Sequence, residues 1–320
     1  MPPKKFLHEL EDFKDLLLVV SGEKKILSEL VEKDYWIMHC LFGLKRLDLK
    51  LELKGGTSLS KGYGIIERFS EDIDVRIEPP QKMEVKTGKN HMKKSHIESR
   101  GRFYEWLAKE KIKIPGIVKV ERDTEFDNEK LTSAGIRLIY DSHLPSLDGV
   151  KPWVLLEVGF DDTTPNEPIN ISSWAYDKVT EAGIEVIDNR ALKIECYDPA
   201  FTFVEKLQTV STKFRQQQDQ GDTGKFPRNF LRHYYDIYCL LENHRVQEFI
   251  GTKEYQARKD NRFRTKDKQN ISQNEAFLLS DTETRELYKQ EYNKTKNLYH
   301  GEMIPFEAIL ERIKINIDKL

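Results

Sequence analysis

Asp72 and Asp74 flank Ile73 at the head of an alternating apolar and polar run that extends to Ile77. Such alternation marks a strand, and residues two apart on a strand project to one face. Two carboxylates held side by side repel, and ionising both is costly. A divalent cation removes that cost. Mg2+, or Mn2+ in its place, favours a few carboxylates together with the phosphate oxygens of a substrate. Asp72 and Asp74 therefore form half of a site for a metal–nucleotide complex. Upstream, Gly55 and Gly56 leave an apolar strand and lead into Thr57 and Ser58. Glycine lets the backbone approach a phosphate, and a helix start supplies N–H groups and the positive end of a dipole. Gly55, Gly56, Thr57 and Ser58 are the expected cradle of a triphosphate. Lys61, one turn on, is an added phosphate contact, and Ser70 stands where its hydroxyl could orient Asp72.

These residues need a strand, a turn, a short helix and a second strand to place them. Residues 49 to 54 alternate as a strand, 57 to 66 fit a short helix, and 73 to 77 a strand. Residues 5 to 46 keep helical apolar spacing, and 95 to 110 do so again. Between them, 80 to 95 is polar and basic, as a loop would be. Strand patterns follow at 117 to 122, 134 to 141 and 152 to 160, with two short apolar runs in 184 to 196. From Asp198 the pattern turns helical, beginning with Asp-Pro, a favoured helix start. "QQQDQGDTGKFPRN" has linker composition, and helices are expected at "FLRHYYDIYCLLEN", 281 to 298 and 304 to 318. The expected organisation is an α/β domain with N-terminal helices, 1–197, and a helical domain, 198–320.

The totals narrow the field. In 320 residues, 38% are hydrophobic and 33% charged, with a net charge of -2, which argues against a uniformly basic nucleic-acid binder. The three cysteines are widely spaced and form no CxxC pair, and the histidines show no zinc spacing. The N-terminal sequence lacks signal-peptide architecture, and no apolar run reaches membrane-spanning length. A cytoplasmic protein without a membrane partner is expected.

Alone, an Asp-x-Asp is most often a solvated face and a Gly-Gly a simple turn. Their order here is more specific: strand, Gly-Gly-Thr-Ser, helix, Ser-Glu-Asp-Ile-Asp, strand. It resembles the active-site signature of the DNA polymerase β-like nucleotidyltransferase superfamily, and Ser58 precedes Asp72 by a fitting 14 positions. Within that superfamily the chain resembles the AbiEii-type nucleotidyltransferase toxins of bacterial toxin–antitoxin and abortive-infection systems. "EKDYWIMHCLFGL", "LKGGTSLSKGYGIIERFSEDIDV", "VEKLQTVSTKF" and "RHYYDIYCLL" carry the likeness over residues 32 to 241. The resemblance implies an α+β fold: a mixed polymerase β-like sheet flanked by helices, followed by a helical domain.

It also implies roles. Asp72 and Asp74 would bind the metal. Glu157, an acid in the apolar run "WVLLEVGF", would be the third carboxylate, its burial relieved by the metal; otherwise it faces water. Lys206 would hold the β- and γ-phosphates and the leaving pyrophosphate. Asp236 would position Lys206, and Arg232, four residues earlier, is an expected partner of Asp236. Lys33 and Asp34 match the likeness but have no assigned chemistry. The implied reaction moves a nucleoside monophosphate from a nucleoside triphosphate to an acceptor hydroxyl of RNA, above all the tRNA 3′ end, or of protein, and an antitoxin protein is the implied partner. The basic segments Lys82 to Lys94 and Arg258 to Lys268 fit either phosphate contacts or solvated loops. Two other readings compete. One is a catalytically silent nucleotide- or RNA-binding module of the same fold, against which intact Asp72, Asp74 and Lys206 count. The other is a two-metal phosphodiesterase, disfavoured by the Gly-Gly helix start and the lack of a histidine-rich metal site.

Overall fold

In the helix Ser28–Lys45, residues 35–44 are apolar but for His39, and a helix with such a stretch belongs in an interior. The computed structural model, which describes residues 4–88, 90–147, 149–220, 226 and 230–320, buries it accordingly. This helix, α2, follows α1 (Phe13–Lys24) and packs on a mixed seven-stranded sheet. The strands are β1 (Leu51–Lys54), β2 (Asp72–Ile77), β3 (Ile117–Asp123), β4 (Ser133–Tyr140), β5 (Val154–Gly159), β6 (Asn166–Ile171) and β7 (Ala191–Tyr197), in the spatial order β3-β4-β5-β2-β1-β7-β6. β2 runs antiparallel to β1 and parallel to β5, while β1 is parallel to β7. The fold is thus α+β, a mixed sheet flanked by helices with a helical C-terminal region.

Between β1 and β2 the chain makes a single α-turn, α3 (Gly55–Thr57), continued by a π-turn over Ser58–Gly62. The helix expected to reach residue 66 therefore stops four residues early. Gly64, with φ 63°, leaves helical geometry at once. α4 (Lys94–Trp106) lies where a helix was expected. β6 and the helix after it, α5 (Trp174–Glu181), were not foreseen. β6 is a mostly polar strand at the sheet edge, and Pro168 inside it is tolerated there because an edge strand has ladder positions that need no donor. α5 is started by the Ser173 hydroxyl, which accepts the Tyr176 N–H at 3.1 Å.

The chain divides into two units: residues 1–62 with 69–197, and residues 63–68 with 198–320. The second is built from α6 (Pro199–Gln220), α7 (Arg232–Leu240), α8 (His244–Phe249), α9 (Lys253–Arg262), α10 (Glu275–Leu278), α11 (Thr282–Asn293) and α12 (Phe306–Asn316). The Asp198 carboxylate accepts the Ala200 N–H at 2.7 Å, so the Asp-Pro start acts as a cap. α6 packs on α7, α8, α9 and α10, and it extends into the expected linker as far as Gln220. Residues 221–225 and 227–229 of that linker lie outside the described residues. Tyr234, Tyr288, Tyr292 and Phe306 form an aromatic centre, with Tyr234 edge-on to Tyr288 and Phe306 and Tyr292 tilted against Phe306. Residues 63–68 join this unit through a bridge between Arg68 and Tyr299.

Candidate active site

β2 alternates as its sequence implied. Ile73, Val75 and Ile77 are buried, whereas the Asp72 and Asp74 side chains are 25% and 32% exposed. Parallel pairing sets Asp74 directly opposite Glu157 of β5 and Asp72 opposite Leu155. Residues in register share a face, so Asp72, Asp74 and Glu157 lie on one side of the sheet. Burial drives the Glu157 carboxyl pKa upward, and the charges of Asp74 and then Asp72 add to it, bringing it to about 8.

Each aspartate has its own cation. Lys54 Nζ lies 3.4 Å from Asp74 Oδ1, and Lys151 Nζ lies 2.9 Å from Asp72 Oδ1. Sequence reasoning passed over Lys151. Its only signal was a basic residue just ahead of the strand that carries Glu157.

Gly55 has φ 72°, and a Cβ there would sit 2.7 Å from Asp74 Oδ2. Both the left-handed backbone and the closeness of Asp74 require glycine. Gly56 continues the turn half-buried. Thr57 and Ser58 are buried, because they fall on the inward side of the turn. The Thr57 hydroxyl donates to the Asp72 carbonyl at 2.6 Å, and Ser58 lies beside the Cys196 thiol. Their hydroxyls, expected as phosphate donors, are thus turned into the protein. Lys61 also differs from expectation: its Nζ is 2.9 Å from Asp34 Oδ1 and 4.6 Å from the centre of the Trp174 ring. Ser70 is half-buried, and its hydroxyl makes no hydrogen bond to Asp72 among the described residues.

The segment Glu32-Lys33-Asp34, left without chemistry by its sequence, proves to be a set of buried clamps. Glu32 accepts from Ser142 Oγ at 2.7 Å and the His143 N–H at 2.8 Å. Lys33 donates to the Lys151 carbonyl at 2.7 Å and to the Trp153 carbonyl. Asp34 accepts the Trp174 N–H at 2.8 Å in addition to Lys61. These charges fix the chain ahead of β5, the start of α5 and the end of the π-turn. Buried charges persist only with such partners. Burial lowers the Lys33 pKa to about 8.

In the helical unit, Lys206 Nζ lies 2.7 Å from Asp236 Oδ2. Arg68 grips the same carboxylate in a fork, with Nε to Oδ1 at 2.6 Å and Nη2 to Oδ2 at 2.7 Å. Arg68, rather than the expected Arg232, is thus the arginine partner of Asp236. Helical spacing pointed to Arg232, and no local pattern could reveal a partner 168 positions away. Burial alone would raise the Asp236 pKa, but Arg68 and Lys206 outweigh it and hold the carboxyl far below its usual range. His233 Nδ1 is 3.3 Å from Lys206 Nζ, and burial followed by the charge of Lys206 keeps that imidazole neutral.

The family model described as "Nucleotidyl transferase AbiEii toxin, Type IV TA system" matches residues 36–312. The chain belongs to the AbiEii family. The match spans Gly55 to Asp74, Glu157, Lys206 and Asp236, and begins just after the Glu32–Asp34 clamps. No curated protein and no solved structure gave a significant match. AbiEii membership makes nucleotidyl transfer the kind of reaction and places the protein with toxins of type IV toxin–antitoxin systems. No helix among the described residues is long and apolar enough to cross a membrane.

Among the described residues, no group of three or more His, Cys, Asp or Glu forms a ready-made metal cluster. The oxygen donors nearest to that role are Asp72, Asp74 and Glu157. The two basic segments differ in availability. Lys82, Lys86, Lys93 and Lys94 are exposed, while Lys89 lies outside the described residues. In the second segment Arg258 and Arg262 both engage Glu205, at 2.8 Å and 3.5 Å, and Lys259 is buried, whereas Arg264, Lys266 and Lys268 are exposed.

Proposed function

We propose that the protein is a metal-dependent nucleotidyltransferase that joins a nucleoside monophosphate to an acceptor hydroxyl and releases pyrophosphate. The observation that carries the reading is the register of Asp74 with Glu157, with Asp72 on the same face and the Gly55 turn against Asp74. The family match supports the kind of reaction. The donor set suits a hard cation such as Mg2+ or Mn2+, being all oxygen and partly exposed at Asp72 and Asp74. The Glu157 pKa is raised by burial first, and the charges of Asp74 and Asp72 that add to it favour a cation at these carboxylates. Asp72, Asp74 and Glu157 would hold it. Such an ion, when bound, polarises the phosphoryl group and neutralises charge on pyrophosphate.

The acceptor oxygen bonds to the α-phosphorus as the bond to pyrophosphate breaks, and the hydroxyl proton passes to a carboxylate of the set. The missing side chain at Gly55 leaves room for the Asp74 carboxylate to lie against the turn. Lys206, kept in place by Asp236, is proposed to hold the β- and γ-phosphates. Exposed lysines in 82–94 support an RNA acceptor, and the family resemblance favours the tRNA 3′ end. The setting is then the cytoplasm of a cell in which an antitoxin protein restrains the enzyme.

Incubation with each labelled triphosphate, Mg2+ and total tRNA tests the proposal. Label joined to RNA, and lost in Asp72→Asn, is the expected result. Absence of transfer to any RNA or protein acceptor points to a silent binding module, and shortened RNA to a phosphodiesterase.

A further inference from the structure

We propose that Lys151 is an exchangeable cation. It neutralises Asp72 in the empty site and passes to the triphosphate when a metal–nucleotide complex takes that carboxylate. The inference deepens the reading above and rests on it.

The backbone of Lys151 is held on both sides. Its carbonyl accepts from Lys33, which is 1% exposed, and its N–H points to Glu71, which is 4% exposed, at 3.4 Å. Its side chain is held far less. It reaches Asp72 by one contact, is 23% exposed, and lies 4.7 Å from the centre of the Phe126 ring. Lys61 differs, since its carboxylate partner Asp34 is only 3% exposed. Lys33 differs too, donating to two carbonyls from a buried position. An anchored backbone with a loosely held ammonium at the site is suited to exchange. Lysine is a point charge on a flexible stem, able to move between anions as a forked guanidinium is not.

Electrostatics supply the reason to move. The carboxylate that Lys151 contacts, Asp72, is one of the three proposed above to hold the cation. Two cations on one carboxylate repel strongly at such range. The arriving triphosphate is the nearest new anion and brings excess negative charge. Lys151 thus competes with the metal before substrate arrives and assists the nucleotide afterwards.

Those two roles have opposite signs, which a structural ion pair would not produce. The test uses the full chain, Mn2+ alone followed by paramagnetic resonance, and KM for the transferred triphosphate. Lys151→Met keeps the stem over Phe126 and removes the charge. It should bind Mn2+ alone about three- to tenfold more tightly, while KM for the triphosphate rises about tenfold. Lys151→Arg should lock onto Asp72 in a fork and weaken Mn2+ binding. Lys151→Arg therefore carries the test if Lys151→Met melts below the assay temperature. Unchanged or weaker Mn2+ binding in Lys151→Met, an unmoved KM, or unweakened Mn2+ binding in Lys151→Arg overturns the inference. Wild-type protein that binds no Mn2+ overturns the metal reading and this inference together. Wild-type binding that is abolished by Asp72→Asn but indifferent to Lys151 overturns this inference alone.

Discussion

Asp74 and Glu157 face each other in register across the parallel pair β2–β5, an acid opposite an acid on adjacent strands. Glu157 answers with a pKa of about 8 against its ordinary 4.5, through burial first and then the neighbouring charges. Between those values the folded protein holds a proton that the unfolded chain has released, so stability falls as pH rises. The contribution is complete below pH 4.5 and lost as pH passes 8. Melting temperature in metal-free buffer should decline over that window, and Glu157→Gln should flatten the decline. A variant with the wild-type slope would assign the dependence to another group.

Asp72→Asn and Asp74→Asn should each lower transfer by about a thousandfold or more, through loss of charge for a bound cation. Both side chains are partly exposed, and removing either charge relieves Glu157. Circular dichroism and melting temperature should therefore stay close to wild type. Retained activity with Mg2+ in both variants would show that the site lies elsewhere.

Gly55→Ala should impair folding and transfer together. The backbone at φ 72° costs a β-carbon residue about 1–2 kcal/mol, and the added methyl would push Asp74 aside. Gly183→Ala provides a control, since φ there is 69° but open space surrounds the position. Similar melting losses with transfer lost only in Gly55→Ala would separate backbone strain from the clash with Asp74. Equal transfer by the two variants would refute a special role for the Asp74 contact.

Asp236→Ala should be the more damaging change in the Lys206–Asp236 pair. It strands two buried cations, Arg68 and Lys206, and loss of a buried partner costs about 3–5 kcal/mol. Lys206→Ala leaves Arg68 paired, so its defect should fall on the triphosphate KM with less loss of melting temperature. Denaturant titration of both variants measures the difference. A smaller loss in Asp236→Ala than in Lys206→Ala would contradict the double clamp. The depressed Asp236 pKa gives stability that is present above the ordinary carboxylate value and lost as pH falls below it.

Much of the sheet was legible because its strands alternate plainly. β2, with three buried aliphatics alternating with Asp72, Asp74 and Arg76, is the clearest case. Edge strand β6 was hidden by its polar composition and Pro168, since only Ile171 of the strand is fully buried and little alternation is left to detect. Around the site, Asp72 and Asp74 announced themselves by type and spacing, while Glu157, Lys206 and Asp236 came with the family resemblance. Two of the cations stayed hidden: Lys151 and Arg68 reach Asp72 and Asp236 across 79 and 168 positions. Hydroxyl direction was equally beyond sequence, because Thr57 and Ser58 face inward through the pitch of a single turn.

Residues 63–68 belong with the helical unit although the chain on both sides of them belongs with the sheet. The polypeptide therefore passes from one unit to the other after residues 62, 68 and 197. A gene fragment ending at residue 197 would not encode a self-sufficient module, for it would carry Arg68 away from Asp236. Nor could recombination at that single boundary exchange the helical unit for another without a matching strip inserted just before the acidic strand. The two units are thus bound to be inherited, expressed and lost together.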